Sequence, residues 1–299
     1  MGRSAVTDTW TKNAWQSLRE FTTARIALGR TGNSLPTEAL LAFNLAHAQA
    51  RDAVHRPLDV RTLCTQLEAA NFNTIEVCSA APDRAHYLRR PDLGRRLSAK
   101  SCAALQSLAH EGAPSYDVVF VIADGLSAFA AMRHPLPLLQ LMQSMLPDWR
   151  IGPVVVAAQG RVAIGDEIGE LLRAKIVVVL IGERPGLSSP DSLGVYITFE
   201  PRIGRNDAER NCISNVRPEG LGYAGAAHKL HYLLTHARRL GLSGVDLKDD
   251  SDSLLTTRST TVLGVDKQLG NTSIERTSPD TRSPWAWTGL SGDVEERKR

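Results

Sequence analysis

Three short segments hold the residues best suited to chemistry, and each follows an apolar run. Asp124, Gly125, Leu126 and Ser127 follow residues 116–123 (YDVVFVIA). Gln159, Gly160, Arg161 and Val162 follow 153–158 (PVVVAA), and Gly182, Glu183, Arg184, Pro185 and Gly186 follow 175–181 (KIVVVLI). Together they offer backbone amides, glycines for close approach, two arginines and two carboxylates. A large polar ligand bearing amides and a phosphate would suit such a set. The competing reading is structural: Gly and Pro terminate strands, and Glu183 caps a helix.

Two further motifs suggest other chemistries. Residues 220–225 (GLGYAG) match the GxGxxG of dinucleotide-binding loops. That motif needs a buried strand just before it and an acidic residue at the end of the next strand. Here Arg217, Pro218 and Glu219 precede it and no second apolar run follows, so a glycine-rich helix start explains it. Residues 125–129 (GLSAF) follow a strand, as a nucleophile elbow would, and Asp191 and His228 come in hydrolase order. The elbow's tight turn needs a small residue where Phe129 stands, and no HGGG-type oxyanion loop is present. Ser127 reads better as a helix cap. These motifs define the alternative function, a stand-alone dehydrogenase or hydrolase. The eight histidines form no HExxH pair, Asp52 with His55 is weak support for a metal, and there is no Walker loop. The residues therefore give no catalytic group and no metal site.

The elements that must position these loops follow from periodicity. Runs that are apolar throughout are strands buried on both faces, and here they alternate with helical stretches at 136–146 and 165–174. That pattern predicts an α/β fold, a Rossmann-like parallel sheet with helices on both faces. The ligand crevice of such a sheet lies at the carboxyl ends of its strands, where the three segments would meet. Residues 73–80 and 192–199 read as further strands. Residues 98–109 and 224–240 read as helices, with an Arg-dense turn at 87–97.

A smaller helical region precedes the sheet. The spacing of Trp10, Ala14, Leu18 and Phe21 predicts a helix over 10–26, with Trp15 and Ile26 at the edge of a broad apolar face. That face needs covering, by its own domain or by a partner subunit. Ser34, Pro36, Thr37 and Glu38 mark the start of a second helix running to about His55. The expected domains are a helical region at 1–60, a Rossmann-like domain at 61–248, and a Ser/Thr-rich disordered tail at 249–299.

Of 299 residues, 42% are hydrophobic and 22% charged, so a sizeable core is expected and wholesale disorder is excluded. Aromatics are 5%, so the core is aliphatic. A net charge of +3 is too small to argue for nucleic acid or an anionic membrane surface. No apolar run approaches the ~20 residues that span a bilayer, and the first 25 residues show no signal-peptide core. Four scattered cysteines, Cys64, Cys78, Cys102 and Cys212, form neither a zinc knuckle nor a disulfide scaffold and suit a reducing cytosol.

The same loops carry longer motifs. Gly160, Arg161 and Val162 run on through 166–170 (DEIGE), then come 182–187 (GERPGL) and 212–215 (CISN). With Ala24, Arg25, Thr31 and Gly32, the stretch 87–97 (YLRRPDLGRRL) and 124–127 (DGLS), this set resembles the small subunit of ethanolamine ammonia-lyase over about residues 22–247. The resemblance implies a Rossmann-like domain that holds adenosylcobalamin against a large TIM-barrel subunit. That large subunit binds ethanolamine and carries the catalytic side chains. It implies a radical carbon–nitrogen lyase giving acetaldehyde and ammonia, with no activity in the small subunit alone. By motif match the cobalamin contacts fall on Val162, Glu183 and Cys212. The DxHxxG signature of other cobalamin-binding domains is absent, which implies base-on binding. The family implies a cytoplasmic protein, with a bacterial microcompartment as a further location. The resemblance also implies a longer N-terminal extension in family members and no counterpart for the segment after Lys248.

Overall fold

The structure is a computed structural model that describes residues 11–108 and 115–251. Position 10 and the expected tail from 252 onward lie outside the described residues.

After a short 3₁₀ turn at Gln16–Phe21 come helices α1 (Thr37–His55) and α2 (Val60–Ala69), then strand β1 (Thr74–Cys78). Helices α3 (Arg84–Arg89) and α4 (Ala99–Leu108) lead to β2 (Tyr116–Ala123). Helices α5 (Ala128–Arg133) and α6 (Pro135–Met145) precede β3 (Val154–Ala158), and α7 (Ile164–Leu171) precedes β4 (Ala174–Gly182). β5 (Leu193–Phe199), β6 (Arg210–Val216), α8 (Tyr223–Leu240) and a 3₁₀ turn at Gly244–Asp246 follow.

The six strands form one sheet in the order β1-β3-β2-β4-β5-β6. The first four run parallel, while β5 and β6 are antiparallel to their neighbours. The sheet is therefore mixed rather than wholly parallel. The physical reason is the connection: a parallel return needs a crossover, usually a helix, and the segment between Gly182 and Leu193 contains none. Alternation along the strands splits the core in two. Even-numbered residues of β4 such as Ile176, Val178 and Leu180 pack with α2, α5, α6 and α8. Odd-numbered Val177, Val179 and Ile181 pack with Leu105 of α4 and with Ile164 and Ile168 of α7. Helices thus cover both faces of the four parallel strands, and the α/β class read from the sequence stands.

The helix expected over 10–26 does not form. Only the 3₁₀ turn at Gln16–Phe21 appears, and Thr11 pairs with Arg30 instead, its N–H reaching the Arg30 carbonyl at 2.8 Å. Amphipathic spacing stabilises a helix only when its apolar face is buried, since short helices are marginal in water on propensity alone. Here Trp15 is 68% and Phe21 83% exposed. The second N-terminal helix does form as α1, but its early apolar residues Leu40, Leu41, Phe43 and Leu45 are also exposed. No helix among the described residues is long and apolar enough to cross a membrane.

Candidate functional site

At the carboxyl ends of β2 and β3 the loops are held by a buried polar cluster. Asp124 is fully buried and pairs with Arg84, whose Nη1 lies 2.8 Å from Oδ2; the other carboxylate oxygen accepts the Gly160 N–H at 3.0 Å. Burial pushes the Asp124 carboxyl upward in pKa, while the Arg84 guanidinium and the Gln159 and Gly160 amides oppose it. Asp124 is therefore not one of the two carboxylates offered to a ligand, as its place in the loop had suggested. It braces the loops. Tyr87, also fully buried, donates its hydroxyl to the carbonyls of Gly125 (2.8 Å) and Gly160 (3.0 Å). Burial raises its pKa far above the ordinary phenol value, so it stays a donor. Gly94 lies so near the ring that a Cβ there would approach Tyr87 Cε2 to 2.6 Å, which explains a glycine inside the Arg-dense turn.

Glu183 directly follows β4 and is half-buried. Its carboxylate caps no helix. Its Oε1 accepts the Ser214 hydroxyl at 2.6 Å, and the Asn215 N–H reaches both oxygens at 3.3 and 3.2 Å. Those two residues form an irregularity in the β5/β6 pairing: Val195 pairs with Ile213 but Leu193 pairs with Val216. The extra residue puts Asn215 at φ +58°, a left-handed conformation that Asn tolerates better than most residues. Gly194 sits opposite the bulge, and a Cβ there would meet Glu183 Oε1 at 3.1 Å. The glycine leaves room for the carboxylate to reach across the sheet.

Cys212 pairs with Tyr196 in the β5/β6 register, so the two side chains share a face. Alternation puts Glu183, Gly194, Tyr196 and Cys212 on the same face as the odd-numbered residues of β4. Val162, in the loop after β3, and Tyr196 both pack against the apolar cluster of that face. The three residues singled out by motif thus fall on one side of the sheet. Glu183 and Cys212 lie beside each other across Gly194 and Tyr196, and Val162 lies toward α7. Cys212 is exposed overall, but its thiol is tucked against the Tyr196 phenol; loss of water around the sulfur raises its pKa, and the Glu183 charge adds to this. Tyr196 is likewise raised by burial.

The lower end of this face is closed by an ion pair. Arg210 of β6 binds Asp166 of α7 through two contacts at 2.6 and 2.7 Å, and it donates to Thr198 Oγ1 at 2.9 Å and to the Arg205 carbonyl at 2.9 Å. Both side chains are nearly inaccessible. The pair fastens α7 to the antiparallel edge, leaving the upper end open around Cys212 and Ser214, both exposed. That open end presents a polar patch with a carboxylate, a phenol, a thiol and a hydroxyl. Arg161, in the loop next to Val162, has its guanidinium over the Tyr87 ring and its Nε buried without a hydrogen-bond partner.

The alternative motifs do not assemble. Ser127 is the N-cap of α5, accepting the Ala130 N–H, and donates to the Pro190 carbonyl at 2.8 Å. Asp191 pairs with Arg133, and His228 lies against the Ser251 carbonyl, so the three make no relay. The glycine motif follows an antiparallel edge strand rather than a βαβ unit; Gly220 is needed because a Cβ would come within 2.4 Å of the Asn215 carbonyl. Sequence reasoning missed α2 and β6, and with them the partners of Glu183. It also missed Arg84 and Tyr87 as loop braces. The one hint was that Tyr87 is an aromatic within an otherwise Arg-rich turn.

By class, this is an α/β domain with a mixed sheet that presents an open polar face, its buried charges bracing loops and fastening α7. Comparison with known proteins narrows that class. The family model "Ethanolamine ammonia-lyase light chain (EutC)" matches residues 12–248. The chain is 57% identical over 244 residues to the ethanolamine ammonia-lyase small subunit of Azotobacter vinelandii, covering 81% of this chain and 90% of that protein. It is 56% identical over 248 residues to that of Ralstonia nicotianae, covering 82% and 91%. The chain belongs to the ethanolamine ammonia-lyase light chain family.

Proposed function

We propose that this chain is the small subunit of an ethanolamine ammonia-lyase and holds adenosylcobalamin against a large subunit that binds ethanolamine. The observation that carries the reading is the convergence of Val162, Glu183 and Cys212 on one open face of the sheet. Bound there, adenosylcobalamin supplies radical chemistry through its cobalt–carbon bond, by which ethanolamine is converted to acetaldehyde and ammonia. The chain's own residues bind and orient. Glu183 would accept hydrogen bonds from amide and hydroxyl donors of the cofactor, Val162 would give an apolar contact, and the Cys212–Tyr196 pair would lie beside them. Such positioning is the protein's part in cofactor chemistry.

The apolar residues left exposed on the N-terminal region supply the contact with the large subunit. Trp15, Phe21, Leu40, Leu41, Phe43 and Leu45 together form more exposed apolar surface than scattered single residues require. In this reading ethanolamine and the catalytic side chains belong to the large subunit, so the single chain with added cofactor should not turn over ethanolamine. The test is co-expression with a large subunit of this family, followed by cobalamin titration. Co-purification and retained corrinoid absorbance are expected; a stable complex that retains no corrinoid would overturn the cofactor assignment. Leu41→Asp with Leu45→Asp should abolish co-purification while leaving the circular dichroism of the chain unchanged.

A further inference from the structure

We infer that the Tyr87 hydroxyl is a positioning group that sets the spacing between the two loops carrying Val162 and Glu183. This inference rests on the cofactor assignment above. One phenolic proton is shared between two carbonyls on different strand ends, Gly125 after β2 at 2.8 Å and Gly160 after β3 at 3.0 Å. Gly160 stands two residues before Val162. From Gly125 the path continues to Glu183: the next residue, Leu126, donates its N–H to the Gly182 carbonyl at 2.9 Å, and Gly182 precedes Glu183. Gly125, at φ +52°, approaches so closely that a Cβ would lie 2.2 Å from that same carbonyl oxygen. Val162 and Glu183 follow strands that are not neighbours, since β2 lies between β3 and β4. Tyr87 ties the ends of β2 and β3 directly, and the Leu126 N–H joins them to the end of β4.

The ring itself is held from both sides. The Arg84 guanidinium lies 4.8 Å and that of Arg161 4.5 Å from its centroid, and Gly94 abuts its edge. Arg161 is further fixed by its N–H, which donates to the Gly94 carbonyl at 2.7 Å. Removing only the hydroxyl leaves this packing in place. The two buried carbonyls lose their shared donor, and the loops are then joined across the gap chiefly by the Asp124–Gly160 bond.

The test is Tyr87→Phe in the complex with a large subunit, compared with Leu233→Val. Leu233 is a buried residue of α8 on the opposite face of the sheet and serves as a general destabilisation control. Without corrinoid, amide exchange at residues 125–127 and 160–163 is expected to accelerate about tenfold or more in Tyr87→Phe, the worth of a lost buried hydrogen bond. Exchange in α8 should stay as in the wild type. Cobalamin affinity should fall by about tenfold in Tyr87→Phe and be unchanged in Leu233→Val. Exchange in both loops and affinity equal to wild type would overturn the inference while leaving the cofactor assignment intact. A wild-type complex that takes up no cobalamin would overturn the assignment and this inference with it.

Discussion

Replacing Glu183 with Gln separates the two tasks that its carboxylate performs. Within the chain it accepts from Ser214 and Asn215 and so stabilises the bulge of β6. In the proposed complex it also accepts from the cofactor. Gln retains one oxygen, which keeps the 2.6 Å bond to Ser214, but its amide nitrogen faces the Asn215 N–H, donor against donor. Hydrogen bonds to charged groups contribute about 1.5–3 kcal/mol. Ser214 and Asn215 are exposed, so water replaces part of what is lost. The expected stability loss is therefore only about 1 kcal/mol, roughly 2–4 °C in melting temperature for a chain of this size. Ser214→Ala removes the other contact, the bond that Gln keeps, and should show a similar loss; because the two side chains touch, the double variant should depart from the sum. Cofactor affinity behaves differently. Removal of the negative charge should weaken cobalamin binding by about 1.5–3 kcal/mol, or about 10- to 150-fold, whereas Ser214→Ala leaves the charge in place and should cost less than about threefold. Thermal melts and cobalamin titration of the wild-type and both variant complexes measure these quantities. Equal affinity for wild type and Glu183→Gln would refute the reasoning and confine Glu183 to the bulge.

Asp166→Ala leaves the buried Arg210 guanidinium with only the exposed Asp207, 3.7 Å from its Nε, and loss of one partner of such a buried pair costs about 3–5 kcal/mol; urea denaturation should show it, and a loss below about 1 kcal/mol would mean that water and Asp207 compensate the charge. His134 is buried between the Tyr223 hydroxyl (2.8 Å) and the Asp191 carbonyl (2.7 Å), with Arg133, Glu219 and the Asp191 carboxylate nearby. Burial lowers its pKa below the ordinary histidine value, outweighing the pull of Asp191. The unfolded chain then binds more protons than the folded one below about pH 6.5, so stability falls as pH drops from there through the folded pKa. His134→Gln keeps an acceptor and a donor without a titrating group, and should flatten that acid limb in melts between about pH 7 and 5; an unchanged slope would assign the loss to other groups.

The sequence was most informative where burial is symmetric or a local chemical rule applies. β2, β3 and β4 are legible because strands covered on both faces need apolar side chains at every position, and the text of 116–123 or 175–181 allows little else. The start of α1 follows from Pro36 and Glu38, and the Ser127 cap from the preference of short hydroxyl side chains for helix N-termini. The motif residues Val162, Glu183 and Cys212 could be named from the chain alone, though nothing in it showed that they share a face.

Tertiary structure decided the rest. β6 reads NCIS at its centre, half polar, because one of its faces is open at the sheet edge; its strand character comes from pairing with β5 rather than from its own pattern. The direction of β5 and β6 depends on what the connecting segment does in space. The apolar spacing of 10–26 promises a helix, but a helix with an unburied face lacks the packing that stabilises it, so the chain pairs Thr11 with Arg30 instead. The polar contacts reach furthest: Arg84 to Asp124 spans 40 residues, Tyr87 to Gly160 spans 73, and Ser214 to Glu183 spans 31. Periodicity reports only the environment a side chain needs, buried or exposed. Which buried donor meets which acceptor is set by strand order and register, and these exist only once the sheet has formed.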